Sequence, residues 1–170
     1  PFDIDPVDFP QGSAALAKVE KAIGYWNHHT ATVLRPRKKS DSSWAVFRKS
    51  NTGQTTNCGK HSGANFIFCP QRHLSMTRVL HEIGHLAGFL NEHQRPDRGK
   101  HLKVLSAHVQ RTAKKHFKVN ALPEAVALSP YDYQSIMHFG VNRFAIDRTK
   151  PTIKRVDQTS GGTAAELGPT

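Results

Sequence analysis

His81, Glu82 and His85 form the group in this sequence whose types and spacing could do chemistry most directly. On a helix, residues four apart lie on one face about one turn from each other. Neutral imidazoles suit a borderline-soft ion such as Zn²⁺, so the histidine pair supplies half of a tetrahedral site. Glu82, next to the first histidine, is placed to take a proton from a metal-activated water. Positions 74, 76, 79, 80, 83 and 86 are apolar, the spacing of a helix with one buried side. Gly88 follows where such a helix would stop, since glycine enters φ > 0 without a Cβ clash. The returning chain brings position 91 toward the metal, and Asn91 offers it an amide oxygen. That oxygen is a harder, weaker donor toward Zn²⁺ than an imidazole nitrogen. His93 is the alternative, because it shares a side with residue 91 on an extended segment. In a third arrangement, only His81 and His85 hold the ion.

The stretch Gly88-Phe89-Leu90-Asn91-Glu92-His93-Gln94-Arg95-Pro96-Asp97-Arg98 resembles the astacin branch of the metzincin zinc peptidases, which reads G-F-x-H-E-x-x-R-x-D-R. Tyr131-Asp132-Tyr133-Gln134-Ser135-Ile136-Met137-His138-Phe139 is similar to that family's Met-turn, S-[IV]-M-H-Y. Arg143 to Ile146, followed by Lys150-Pro151-Thr152-Ile153-Lys154, is close to its F-S…P-T-I stretch. The resemblance runs from about Asp3 to Leu167. It implies an α+β fold of metzincin type: a twisted mixed β-sheet, a backing helix and an active-site helix, with Met137 packed beneath the histidine pair. It also implies Zn²⁺ on His81, His85 and position 91, with Glu82 acting first as base and then as acid. The expected function is a zinc-dependent endopeptidase that hydrolyses extended polypeptides. Two departures fall on the chemistry: the family's third histidine aligns with Asn91, and its Met-turn tyrosine with Phe139. That tyrosine donates to the tetrahedral intermediate, and losing one such donor typically lowers turnover ~10²–10³-fold. The alternative function is therefore a weakly active or inactive pseudopeptidase that binds peptide or protein in the same cleft.

The same resemblance implies a secreted monomer, with a pro-segment or a protein inhibitor as further partners. It places a short-range disulfide near Cys58 and Cys69, against the alternative of two free thiols; a bridge would mean an oxidising compartment. Ala31 stands where the first cysteine of the family's long-range bridge would be. Glu92 aligns with the residue that meets a buried N-terminus in the family. Arg95, Asp97 and Arg98 read as a structural ion network.

At 170 residues the chain is long enough to bury a core, and it reads as a single catalytic domain over 1–170. Its start and its C-terminal helix are expected to lie outside this sequence. No apolar run approaches the ~20 residues of a membrane span. The formal charge of +11 can concentrate anions by long-range attraction. The basic residues are scattered, however, and accompany no zinc-finger, RNA-motif or basic-helix signature, so no specific nucleic-acid partner is expected.

The elements that must position these residues follow from pattern. Pro1 to Asp5 predicts a short strand, and Ser13 caps a helix to about His29 with apolar positions 15, 16, 19, 22, 23 and 26. Ala31 to Arg35, Ser43 to Lys49 and Asn65 to Phe68 read as strands, the last being the edge on which the family lays its substrate. Asn51 to Asn57 is turn-rich. Ser106 to Val119 predicts a basic amphipathic helix, and 122–130 a loop. Residues 141–157 suit two short extended pieces, and the tail from Ser160 leads toward a further helix.

Overall fold

The computed structural model describes residues 1–50, 56, 58–120 and 129–156, in two compact units, Pro1–Phe89 and Leu90–Thr170. The turn-rich stretch before Cys58 (Thr56 excepted), most of the 122–130 loop and the C-terminal tail lie outside the described residues.

In the first unit, strand β1 (Phe2–Ile4) leads into helix α1 (Ala14–His29) and then strand β2 (Ser43–Ser50). β1 and β2 pair in parallel, which requires a crossover, and α1 lies within it. The Ser13 hydroxyl accepts from Leu16 N at 3.1 Å and so satisfies one of the amides that a helix start leaves open. Leu16, Val19, Ala22, Ile23 and Trp26 are buried, the stripe expected from the spacing. Strand β3 (Gly63–Pro70) pairs in parallel with β2, giving the order β1-β2-β3. The described strands of this sheet are thus all parallel; the antiparallel part of the fold is a separate ladder in the second unit. Phe47 and Ile67 are fully buried, each contributing about 1.5–3 kcal/mol of hydrophobic stabilisation.

The stretch from Ala31 to Arg35 is not a strand. Its backbone is occupied by side chains of α1: Asn27 takes both polar groups of Leu34, each at 2.7 Å, and Trp26 Nε1 donates to Thr32 O. The stretch touches the sheet only at its end, where Arg35 O accepts from Phe2 N and Arg37 N donates to Phe2 O in an isolated parallel bridge between Phe2 and Pro36. Helix α2 (Met76–Leu86) packs against α1 and β3.

The second unit is built on an antiparallel pair, β4 (Leu102–Val104) and β5 (Ile153–Arg155). Leu102, Val109, Ala113, Phe117, Phe139 and Ile153 form its core. The expected helix over Ser106 to Val119 is instead a turn followed by a 3₁₀ helix, Arg111–Phe117. The apolar spacing is real, since Val109, Ala113 and Phe117 are buried. Helical backbone cannot begin earlier, because Val109 is bridged to Ala145 and Gln110 N donates to Phe144 O. Of the two extended pieces expected within 141–157, β5 forms as a strand among the described residues, while Ala145 is a single bridge residue set among turns and follows Phe144 at φ +58°.

Candidate metal centre

Ser75 starts α2 by accepting from Arg78 N at 3.3 Å. The helix ends in a Schellman turn. Gly88 N donates to His85 O and Phe89 N to Gly84 O, both at 2.9 Å, with Gly88 at φ +97°. His81 and His85 therefore stand on one face, their ring centroids 4.7 Å apart and nearly perpendicular. His81 is buried, and Glu82 and His85 are half-buried.

The glycine turn does a second thing. It aims the Phe89 carbonyl back at its own helix, 2.9 Å from His85 Nδ1. A carbonyl only accepts, so Nδ1 carries the proton and Nε2 keeps its lone pair for a metal. The same carbonyl accepts from Cys58 Sγ at 3.4 Å. This corrects the expected disulfide. Cys58 and Cys69 are free thiols, Cys58 turned onto Phe89 O and Cys69 buried at the end of β3. Burial first, then the charges of Glu82 and Asp8, push the Cys69 thiol up to about 12, which keeps it protonated at neutral pH.

In the second unit, Asn91 precedes a short turn, Glu92–Gln94. Its Nδ2 donates to Gln94 Oε1 at 2.9 Å, while its Oδ1 is buried and has no partner among the described residues. Leaving a buried acceptor unsatisfied costs about 1–3 kcal/mol, a penalty that a cation would relieve. His93 is fully buried in the unit's aromatic core, stacked on Phe139 at 3.8 Å, with Nε2 donating to His116 O. Phe139 also meets Phe117 and Phe144 edge-on.

The Met-turn is held by Glu92, which donates from its own amide to Met137 O and accepts at Oε1 from Arg95 Nη1 and Asp132 N. Met137 itself is buried. Arg95 pairs with Asp97 at 2.9 Å, so that part of the expected ion network is present in the unit, whereas Arg98 donates to the His93 backbone carbonyl. His138 is buried between Tyr131 and its own neighbour's backbone: Nδ1 donates to Phe139 O at 2.7 Å and Nε2 accepts from Tyr131 Oη at 2.8 Å. Burial lowers the His138 pKa and raises that of Tyr131, so the pair is neutral.

The donor chemistry fits zinc. Among the described residues no group of three or more His, Cys, Asp or Glu side chains could hold a metal; the zinc-suited donors on α2 are the two imidazoles. Amide oxygen is an acceptable, though weaker, partner to two imidazoles.

The family model for astacin, a peptidase family, matches residues 9–169. The chain belongs to the astacin family. It is 31% identical to the dorsal-ventral patterning protein tolloid of Drosophila melanogaster, over 99% of this chain and 16% of that protein. It is 27% identical to zinc metalloproteinase nas-7 of Caenorhabditis elegans, over 98% of this chain and 43% of that one. The chain thus spans less than half of either relative. The solved structure of high choriolytic enzyme 1, a hatching enzyme zinc-protease from Oryzias latipes, superposes with a TM-score of 0.81 at 20% identity, covering 98% of this chain and 82% of that one. The astacin fold is therefore common to both.

Two contributors escaped the sequence reading. The Phe89 carbonyl is backbone and carries no residue-type signal. Gln94 sits at a position that the astacin pattern leaves open; only its distance of three from Asn91 on a turn hinted at contact.

Proposed function

We propose that this astacin-family chain is a zinc-dependent endopeptidase of extended polypeptides, with His81, His85 and Asn91 as the metal ligands and Glu82 as the general base. The observation that carries the reading is the hydrogen bond from His85 Nδ1 to Phe89 O, which leaves Nε2 free on the face that His81 shares. The buried, unpartnered Oδ1 supports Asn91 as third ligand over His93, whose ring is taken up in the aromatic core.

A bound Zn²⁺ would supply Lewis acidity toward the scissile carbonyl and toward water. Glu82 takes the proton of the attacking water and returns it to the leaving amine, as base and then acid. We take β3, last in the described strand order and with Thr56 Oγ1 accepting from Phe68 N, as the element nearest the substrate, whose backbone would bind by strand-like pairing with little demand on side-chain identity. We assign residues 1–170 to one catalytic domain, acting outside the cell as a monomer, with a pro-segment or protein inhibitor as a further partner. Among the described residues no helix is long and apolar enough to cross a membrane.

Asn91 and Phe139, standing where the family pattern has histidine and tyrosine, favour the second reading, a pseudopeptidase that binds without cutting. Digestion of a casein-type substrate, with and without a chelator and with Glu82→Ala as control, separates the two. Chelator-sensitive cleavage lost in Glu82→Ala supports the enzyme. Undiminished binding of peptide with no cleavage refutes it.

A further inference from the structure

Asn91 can present either end of its amide, and only the oxygen can serve a cation. What decides the choice lies three residues on. The Lys118 carbonyl, an obligatory acceptor, receives Gln94 Nε2 at 3.2 Å. The other end of the Gln94 amide is therefore its oxygen, and it faces Asn91 at 2.9 Å. Only a donor can meet it there, so Asn91 must turn Nδ2 inward and leave Oδ1 as the buried, unpartnered atom. The orientation of one amide thus fixes the other, and a backbone carbonyl fixes both.

Gln94 is itself well anchored. Its amide donates to Asn91 O at 3.0 Å, and its carbonyl accepts from Asn120 N at 2.7 Å. The Lys118 backbone is tied in turn by its own amide to Lys115 O, at the end of the 3₁₀ helix. The Gln94 side chain thus spans, through an exposed bond at its Nε2, two backbone positions that are themselves hydrogen-bonded.

We propose that Gln94 is a positioning residue for the metal: it holds the Asn91 amide by its nitrogen with Oδ1 as the unpaired end, and so lets a weak donor stand where an imidazole would otherwise be used. The proposal rests on the assignment of Asn91 as third ligand. An amide held by a partner on its nitrogen is both oriented and polarised, as a carboxylate or carbonyl does for a ligating histidine. A freely rotating asparagine would present NH₂ as readily as oxygen and would lose donor quality.

The test uses the full 170-residue chain, stripped with a chelator and titrated with Zn²⁺ against a competing dye, in parent, Gln94→Met, Asn91→Ala and the double variant. Methionine keeps the length of the side chain and removes both hydrogen bonds. Gln94→Met is expected to weaken Zn²⁺ binding by about 10–100-fold. Asn91→Ala weakens it at least as much, and the double variant is no weaker than Asn91→Ala alone. With Co²⁺ in place of zinc, the visible absorption of Gln94→Met should move toward that of Asn91→Ala. If Asn91→Ala weakens binding and Gln94→Met does not, the positioning role is overturned while the ligand assignment stands. If neither variant changes affinity, the ligand assignment itself fails. Equal losses from Gln94→Met in the parent and Asn91→Ala backgrounds would mark a general structural effect and overturn the relay. Melting curves of the metal-free variants show whether each still folds.

Discussion

Gly88→Ala separates two things that this glycine does for the metal helix. A Cβ built at Gly88 meets nothing within 4 Å, so the substitution carries no steric penalty, only that of φ +97°. Holding an L-residue in left-handed backbone costs about 1–2 kcal/mol. In a protein of 150–250 residues each kcal/mol moves Tm by roughly 2–4 °C, so a fall of about 2–8 °C follows if the turn survives. The measurement is made in excess chelator, so that metal binding does not mask it. The second consequence is local. If the strained residue relaxes toward φ < 0, the Phe89 carbonyl leaves His85 Nδ1, 2.9 Å away in the parent. The ring then loses the partner that fixes its tautomer, and Zn²⁺ affinity should drop by about 10–100-fold. Gly88→Asn, which enters the left-handed region more readily, should recover part of both losses. The reasoning is refuted if Gly88→Ala melts with the parent and binds Zn²⁺ as tightly, because the turn would then hold neither helix end nor histidine.

Glu82→Gln should lower cleavage of a fluorogenic peptide by about 10²–10⁴-fold while leaving Zn²⁺ affinity near that of the parent, since it removes the proton acceptor and no ligand. Ser75→Ala removes the cap on Arg78 N and should cost about 1 kcal/mol in urea unfolding of the metal-free protein. Burial holds the His138 pKa below the ordinary imidazole value, so below pH ~6.5 the unfolded chain takes up a proton that the folded chain refuses. Stability should therefore fall as pH drops through that value toward the folded one, and urea midpoints of His138→Gln should show a shallower slope there. Asp8 and Asp97, whose pKa values are lowered, lose their contributions only as pH falls below the usual carboxylate value, so their loss begins at lower pH than that of His138.

Much of the site was legible because its residues face a periodic constraint. Helix α2 needs a buried stripe, so Val79, Leu80 and Ile83 fixed its phase, and His81 and His85 followed onto one face. Gly88 was legible because few other residues tolerate its backbone. The failures have a common physical origin, a backbone satisfied by partners that sequence spacing does not encode. Ala31 to Arg35 has a strand's composition, yet Asn27 supplies Leu34 with what a neighbouring strand would. Ser106 to Val119 has a helix's stripe, yet the Val109–Ala145 bridge takes up its first turn.

Cysteine positions showed the limit of reading by resemblance. Cys58 and Cys69 matched a bridge by place, but the structure turns Cys58 to the carbonyl that also holds His85. Asn91 marks the opposite case, where a departure from pattern was visible at once and its compensation was not. An asparagine in a histidine's place reads as a weakened site only while its amide is free to turn. With that amide held by Gln94 and the Lys118 carbonyl, the departure amounts, in the proposed site, to a change of donor atom. Whether such a chain still cuts peptide bonds then depends on Glu82 and the missing Phe139 phenol more than on the ligand count.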